Sequence, residues 1–304
     1  MIERREASPF IQLLLIVGLM IGGVLLSIFG SFLFLIIAYG AESAVSVWVN
    51  VAQHIEALKA MQTIQGICMF IVPAYFFSKI LYGKGISFLK MNKPIGLQLS
   101  IVVILLMITA IPFINFLGFI NEKMVLPDAL AELERWMRAA EMRAAEMTKL
   151  LVATDSVRGL FFNVFMIAIV PAVGEEMLFR GVLQPVVYKS VKNIHVAVVV
   201  TALIFSAFHL QFYGFLPRFF IGIILGYLYV YSGSLWLPIL AHFVNNALVT
   251  VAYFLMNKGV IGNEIDTIGT AENWYFGVIS AFILVIIYFF IEHNKTQLKF
   301  DEFK

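Results

Sequence analysis

Apolar residues run along this chain in long blocks separated by short polar stretches, with no alternation of period two. Such blocks read as membrane-spanning helices, because a span must satisfy its backbone hydrogen bonds internally. Eight spans are expected, at roughly 10–39, 60–82, 97–120, 159–188, 194–212, 215–231, 235–256 and 274–292. The fold class is therefore all-α, a polytopic helical membrane protein. Four regions follow: a three-span region at 1–120, an amphipathic extramembrane helix at 121–158, a catalytic helical core at 159–292, and a tail at 293–304. The fourth span is unusual. Its apolar part stops near Val173 and no breaker is expected to act before Pro185, so one long helix should continue through the charged stretch GEEMLFRG.

The segment between spans three and four has a different pattern. Leu126, Leu130, Leu133, Met137, Ala140, Ala144, Met147 and Leu151 alternate in steps of four and three, the a/d spacing of an amphipathic helix. The tandem repeat MRAAEMRAAEM lies within it. The stripe fits a helix lying on the bilayer or capping the bundle. A homodimer through the 126–151 helix is the alternative, and two alanines at core positions weaken it.

Composition sharpens the class. The 304 residues are 61% hydrophobic and 13% charged, with a mean hydropathy of +0.93, too apolar for a soluble domain of this length. A formal net charge of +2 gives no basis for nucleic-acid binding. The single cysteine, Cys68, excludes a disulfide framework or a thiolate metal cluster. The first apolar run is too long for a cleaved signal peptide and is expected to be a retained span. Arg4 and Arg5, then Lys79, Lys84, Lys90 and Lys93, then Lys189 and Lys192, then Lys295, Lys299 and Lys304 fall on one side of an eight-span bundle. That distribution predicts both termini in the cytoplasm and a place in the cytoplasmic membrane. The 121–158 segment dissents, but its Arg residues are nearly matched by acids.

Polar residues inside the spans are the candidates for chemistry, since a charge at the bilayer centre costs on the order of 2.5–3.5 kcal/mol on insertion scales. Spans four, five and seven hold Glu175, Glu176, Arg180, His209, His242, Asn245 and Asn246. Glu176 and Arg180 are four apart, share a helix face and can pair. Glu175 points about 100° away and has no partner in its own helix. An unpaired carboxylate in such a site can take and return protons. His209 has Phe205 one turn earlier, and His242 has Asn246 one turn later, on the same faces. His54, His195 and His293 lie at span edges or in the tail and are poor candidates.

Three stretches together, Glu175-Glu176-x-x-x-Arg180, Phe205-x-x-x-His209 and His242-x-x-x-Asn246 preceded by Ser234-Leu235-Trp236-x-Pro238, resemble the type II CAAX prenyl endopeptidase family, also called the CAAX-processing and bacteriocin-processing (Abi) family of intramembrane proteases. The resemblance covers about Leu160 to Asn246. It implies an eight-helix core with a water-filled cavity opening toward the cytoplasm, and peptide-bond hydrolysis without an acyl-enzyme. In that scheme Glu175, helped by His209, activates a water. His242 and Asn246 stabilise the oxyanion, Glu176 and Arg180 hold span four, and Phe205 supports His209. No cofactor is implied. The substrate is a membrane-associated peptide or protein, met in the lipid bilayer.

Two other readings compete. Glu175, His209 and His242 form a His₂Glu set of the kind that holds catalytic zinc, although HExxH is absent. A non-enzymatic membrane scaffold or chaperone, or a proton-coupled transporter, is possible on composition alone. No paired inverted repeat supports the transporter.

Overall fold

The computed structural model describes residues 7–262 and 267–293. Arg4, Arg5 and the lysines of the tail lie outside the described residues. Ten main helices are present among those described: α1 (Pro9–Tyr39), α2 (Ala41–Val49), α3 (Ile55–Tyr82), α4 (Leu97–Glu122), α5 (Ala131–Val152), α6 (Val157–Val191), α7 (Ile194–Phe208), α8 (Phe215–Ser232), α9 (Trp236–Asn257) and α10 (Tyr275–His293). Seven are long and apolar enough to cross a membrane, and α7 is a shorter apolar helix of 15 residues. The chain is an integral, multi-pass, all-α membrane protein. The short α2, with sequence AESAVSVWV, lies in a stretch that carries no span-length apolar run.

Local chemistry places the helix ends. Ser8 caps α1, with Pro9 in its first turn where a missing N–H is harmless. Ser156 accepts from the Gly159 amide at the start of α6, and Asn193 accepts from the amides of His195 and Val196 at the start of α7. Gly233, at φ 65°, ends α8 in the left-handed conformation that a side chain resists, so the chain can reverse into α9.

Helix α6 runs for 35 residues through both Pro171 and Pro185. It does so by widening into π turns at Val164–Ile169 and Met177–Leu183. α3 has the same device at Ile67–Ile71, ahead of Pro73. Each proline lacks the amide that an α-helix would aim at the carbonyl four residues back, and the wide turn relieves the resulting clash.

The lysine-bearing loops share one end of the bundle. Tyr82 accepts from Lys189 Nζ at 3.0 Å, Ser234 Oγ donates to the Lys93 carbonyl at 2.5 Å, and the Leu235 amide donates to the Lys90 carbonyl at 3.3 Å. α7 and α8 form a tight antiparallel hairpin. A side chain at Gly222 would meet Ala202 Cβ at 2.9 Å, and one at Gly226 would meet Val198 Cγ1 at 2.8 Å. Small residues of this kind let helices approach where no hydrophobic effect drives them together.

Residues 126–151 show how the a/d stripe is disposed within a single chain. The a/d stripe does not pack as a unit: Met137, Ala140, Ala144 and Leu151 are half-buried, whereas Leu130, Leu133 and Met147 are 45%, 44% and 38% exposed. The side turned toward the bundle includes Glu134 and Glu141 as well. Glu134 is tied in by the Leu126 amide at 3.0 Å and by Arg138 at 2.7 Å.

Candidate active site

The site begins with the pair that the helix register predicts. Arg180 is fully buried and donates through Nη1 to Glu176 Oε1 at 2.8 Å. Its Nη2 reaches the Gly222 carbonyl on α8 at 3.0 Å, and its guanidinium lies 4.6 Å from the centre of the Phe205 ring. One turn further along α6, Gln184 Nε2 donates to the Gly226 carbonyl at 3.3 Å. α6 is thus fastened to the α7–α8 hairpin by two polar contacts on glycine carbonyls. The signal for them was the spacing Gly222-x-x-x-Gly226, a small-residue face on which carbonyls are accessible.

Glu176 has a second partner that sequence spacing does not reveal. His242 Nδ1 donates to the same Oε1 at 2.9 Å, across 66 residues of chain. Glu176 is fully buried, with Oε2 unbonded among the described residues. It therefore locks both Arg180 and the imidazole on α9. With Nδ1 donating to a carboxylate, neutral His242 carries its lone pair on Nε2.

Glu175 faces the other way. Its Oε2 is buried and has no hydrogen-bond partner among the described residues. Two imidazole nitrogens approach it: His209 Nε2 at 3.9 Å and His242 Nε2 at 4.0 Å. His209 lies just beyond the last residue of α7, not within a span, and its Nδ1 donates to the Phe205 carbonyl at 2.9 Å. Its Nε2 is likewise the lone-pair nitrogen when neutral. Leu210 follows at φ 53°, a left-handed conformation that costs a non-glycine residue about 1–2 kcal/mol. That bend turns the chain into the α7–α8 connection directly after His209. Phe205 lies between the groups, with ring centroids 5.1 Å from His209 and 5.9 Å from His242.

The structure thus brings Glu175, His209 and His242 around one oxygen, and Glu176, Arg180 and Phe205 around the frame behind it. Asn246 is placed differently. Its Nδ2 donates to the Ile167 carbonyl at 3.1 Å, and Asn245 Nδ2 donates to its Oδ1 at 3.1 Å. Ile167 is four residues before Pro171, so its carbonyl is the one that the proline deprives of an α-helical donor. Asn246 supplies a donor there, a role latent in the sequence once Pro171 is counted four residues back.

Other polar groups near the site carry no motif. Arg218 donates through Nη1 to the Gln211 carbonyl at 3.2 Å and through Nη2 to the Gln211 side chain. It lies within electrostatic range of both Glu141 and Glu175. The remaining histidines are elsewhere: His54 packs edge-on to Tyr39, His195 Nδ1 pairs with Tyr227 Oη at 2.7 Å, and His293 ends α10. Among the described residues no three His, Cys, Asp or Glu side chains are disposed to hold a metal ion.

Comparison with known proteins adds a family. The model of the type II CAAX prenyl endopeptidase Rce1-like family matches residues 157–248. An uncharacterized protein, YpbD, of Bacillus subtilis (strain 168) is 33% identical over 89 residues. That alignment covers 28% of this chain and 42% of the relative's length. No solved structure matches the chain. The matched residues run from the start of α6 to two residues past Asn246, and they contain all three motifs. Residues 157–248 of this membrane protein therefore form a region of the type II CAAX prenyl endopeptidase Rce1-like family.

Proposed function

We propose that the chain is an intramembrane endopeptidase that hydrolyses a peptide bond with a water activated by Glu175. The observation that carries this reading is Glu175 Oε2, a buried, unbonded oxygen flanked at 3.9 and 4.0 Å by two imidazole nitrogens. Those separations are too long for direct hydrogen bonds and suit a small hydrogen-bonding molecule between the three groups. A water has two O–H bonds to give, and Glu175 Oε2 and the lone pair of neutral His209 Nε2 can accept them, which is the environment a nucleophilic water requires. Glu175 takes a proton from the water as the water attacks the scissile carbonyl, and then gives it to the leaving amine. His209 orients the water through Nε2. His242, held by Glu176, donates to the oxyanion when its Nε2 is protonated, and the second N–H of the Asn246 amide is the further donor. Arg180 and Phe205 fix α6 against α8 so that the two acids keep their opposite facings.

The lysine-rich end of the bundle faces the cytoplasm in this reading, as the positive-inside rule directs, in a cytoplasmic membrane. The substrate is a membrane-associated polypeptide.

A second reading, in which Glu175, His209 and His242 hold zinc, rests on the donor types of the three and on their tied tautomers, since among the described residues they are not disposed around a metal site. Each Nδ1–H is tied to a carboxylate or a backbone carbonyl, the pattern that orients metal-binding imidazoles. Such an ion would polarise the scissile carbonyl and lower the pKa of water there.

Peptides released from membranes by the wild-type chain and by Glu175→Gln, compared by mass spectrometry with metal content measured alongside, test both readings. Peptides present only with the wild type, from protein free of zinc, are expected. Equal release from both would end the assignment. Release that tracks bound zinc and stops with a chelator would replace the first reading with the second.

A further inference from the structure

A cavity of about 670 Å³ lies where α3 and α6 begin, against the turn that joins α5 to α6. Arg158 on its wall stands 17 residues before Glu175, about 25 Å along α6, so the cavity is separate from the two acids. Both helices are long and apolar enough to span a membrane. Their first turns therefore stand at the level where a span meets the lipid headgroups. Nothing in the proteolytic reading uses this place.

The lining has a floor and a rim of different character. Lys59, the fifth residue of α3, is only 4% exposed, whereas Glu56, Asp155 and Arg158 are exposed around it. The Lys59 ammonium makes no hydrogen bond or ion pair among the described residues, and Glu56 acts on it only as a nearby charge. A lysine close to the end of a span ordinarily carries its ammonium outward to water. Here the residue is held back against the cavity, and a cation placed so is stabilised by a counter-charge brought to it.

The walls are fixed by hydrogen bonds of their own. Asn163 Nδ2 donates to the Val152 carbonyl at 2.9 Å, which ties the end of α5 to α6. The Ser156 amide donates to Thr154 Oγ1 at 3.3 Å, and the Gly159 amide to Ser156 Oγ at 3.0 Å. α3 packs against both α5 and α6.

Two cations and two carboxylates thus line one cavity. A simple anion would be drawn by the first pair and repelled by the second. A group that carries both signs suits all four: a phosphate toward Lys59 and Arg158, and an ammonium toward Glu56 and Asp155. The cavity also has an apolar side. Phe162 lines it, and Phe165 and Ile169 follow along α6, all exposed. That lane runs from the headgroup level into the depth that acyl chains occupy.

We propose that this cavity binds one phospholipid whose headgroup joins a phosphate to a primary ammonium, with an acyl chain lying along Phe162 and Phe165. The lipid bridges α3 to the α5–α6 turn.

The test is native mass spectrometry of the full chain in detergent, titrated with dioleoyl phosphatidylethanolamine, dioleoyl phosphatidylglycerol and soluble phosphoethanolamine, with thermal unfolding followed alongside. The ethanolamine lipid should bind about tenfold or more tightly than the other two, and should raise the melting temperature as a ligand of the folded state does. Lys59→Met should weaken its binding by about tenfold, and Arg158→Gln, an exposed change that leaves the packing alone, by a smaller factor. Glu56→Gln combined with Asp155→Asn should erase the preference over the glycerol lipid. In lipid-free detergent Lys59→Met should melt no lower than wild type, because it removes a charge with no partner in the chain. Phosphoethanolamine bound as tightly as the lipid would make this a site for small solutes. The glycerol lipid bound as tightly by the wild type would remove the carboxylates from recognition. Binding unchanged in both Lys59→Met and Arg158→Gln would put the lipid elsewhere. Each of these overturns the proposal, as does a lower melting temperature for lipid-free Lys59→Met, which would give the ammonium a partner within the protein.

Discussion

Adjacent carboxylates on α6 live in two different regions of the molecule. The Glu176 side is closed: one oxygen binds Arg180 and His242 together, and Arg180 goes on to the α8 backbone. On the Glu175 side a buried oxygen has no hydrogen-bond partner among the described residues, and two imidazole nitrogens stand 3.9 and 4.0 Å from it. One residue of helical rotation separates a cross-braced carboxylate from an unbonded one. The same residue type can therefore serve opposite ends, and the partners, not the side chain, decide which.

Substitutions at the two positions should break the molecule in different ways. The largest effect is expected from Glu175→Gln, with turnover falling by about 10⁴-fold, the upper range for a general base. Thermal unfolding in detergent should be unchanged, because that oxygen makes no hydrogen bond to lose. Turnover within tenfold of wild type would move the base elsewhere. Next is Glu176→Ala, which strands a buried guanidinium and frees His242. A loss of about 3–5 kcal/mol in stability is expected, read as lower yield and melting temperature. A stable but inactive Glu176→Ala protein would transfer the catalytic role to that residue.

Asn246→Ala should come third. It removes the donor from the half-buried Ile167 carbonyl, at about 1 kcal/mol for a hydrogen bond lost there. Under the proposed oxyanion role, the substitution should also lower kcat by about 10²–10³ with KM little changed. Pro171→Ala separates the two effects, since it restores a backbone N–H to α6. In that background the stability loss from Asn246→Ala should shrink while the loss in kcat persists. Recovery of kcat along with stability would make Asn246 a positioning residue only. The smallest effect is expected from Leu210→Gly, which relieves the left-handed strain and should change stability by under about 1 kcal/mol. A loss above that would show that the Leu210 side chain, although exposed, supports the bend after His209.

Much of this arrangement is legible in the chain itself, and the limit has a physical form. Long apolar runs specify helices, so the bundle follows from hydropathy. The Glu176–Arg180 pair follows from helical register, as does the separate facing of Glu175. The bond between Glu176 and His242 does not, because it depends on where α9 lies against α6, and no local rule sets that. The fifth apolar run looks longer than it is, since Leu210 and Phe212 extend the apolar pattern while the helix has already ended at Phe208. The 126–151 stripe misleads for a related reason. Periodicity locates an apolar face but not its neighbour, and here Glu134 and Glu141 are on the side that meets the protein.

The π turns in α6 have a consequence for how this chain tolerates change in length. A π turn holds one residue more than an α turn, so it offsets everything before it from everything after it by about one residue's rotation, near 100°. The two acids lie between two such offsets, at Val164–Ile169 and Met177–Leu183. Removing one residue within Val164–Ile169 would convert it toward an ordinary turn and re-phase the helix before it, up to its loop, whereas Met177–Leu183 is wholly buried and holds Arg180 in its pair with Glu176. The seven residues from Val170 to Glu176 are the α-helical stretch between the two π turns. A deletion in the first π turn is absorbed before Val170, while the direction in which Glu175 points stays fixed by Gly174 against Phe70 and by Arg180 against Gly222.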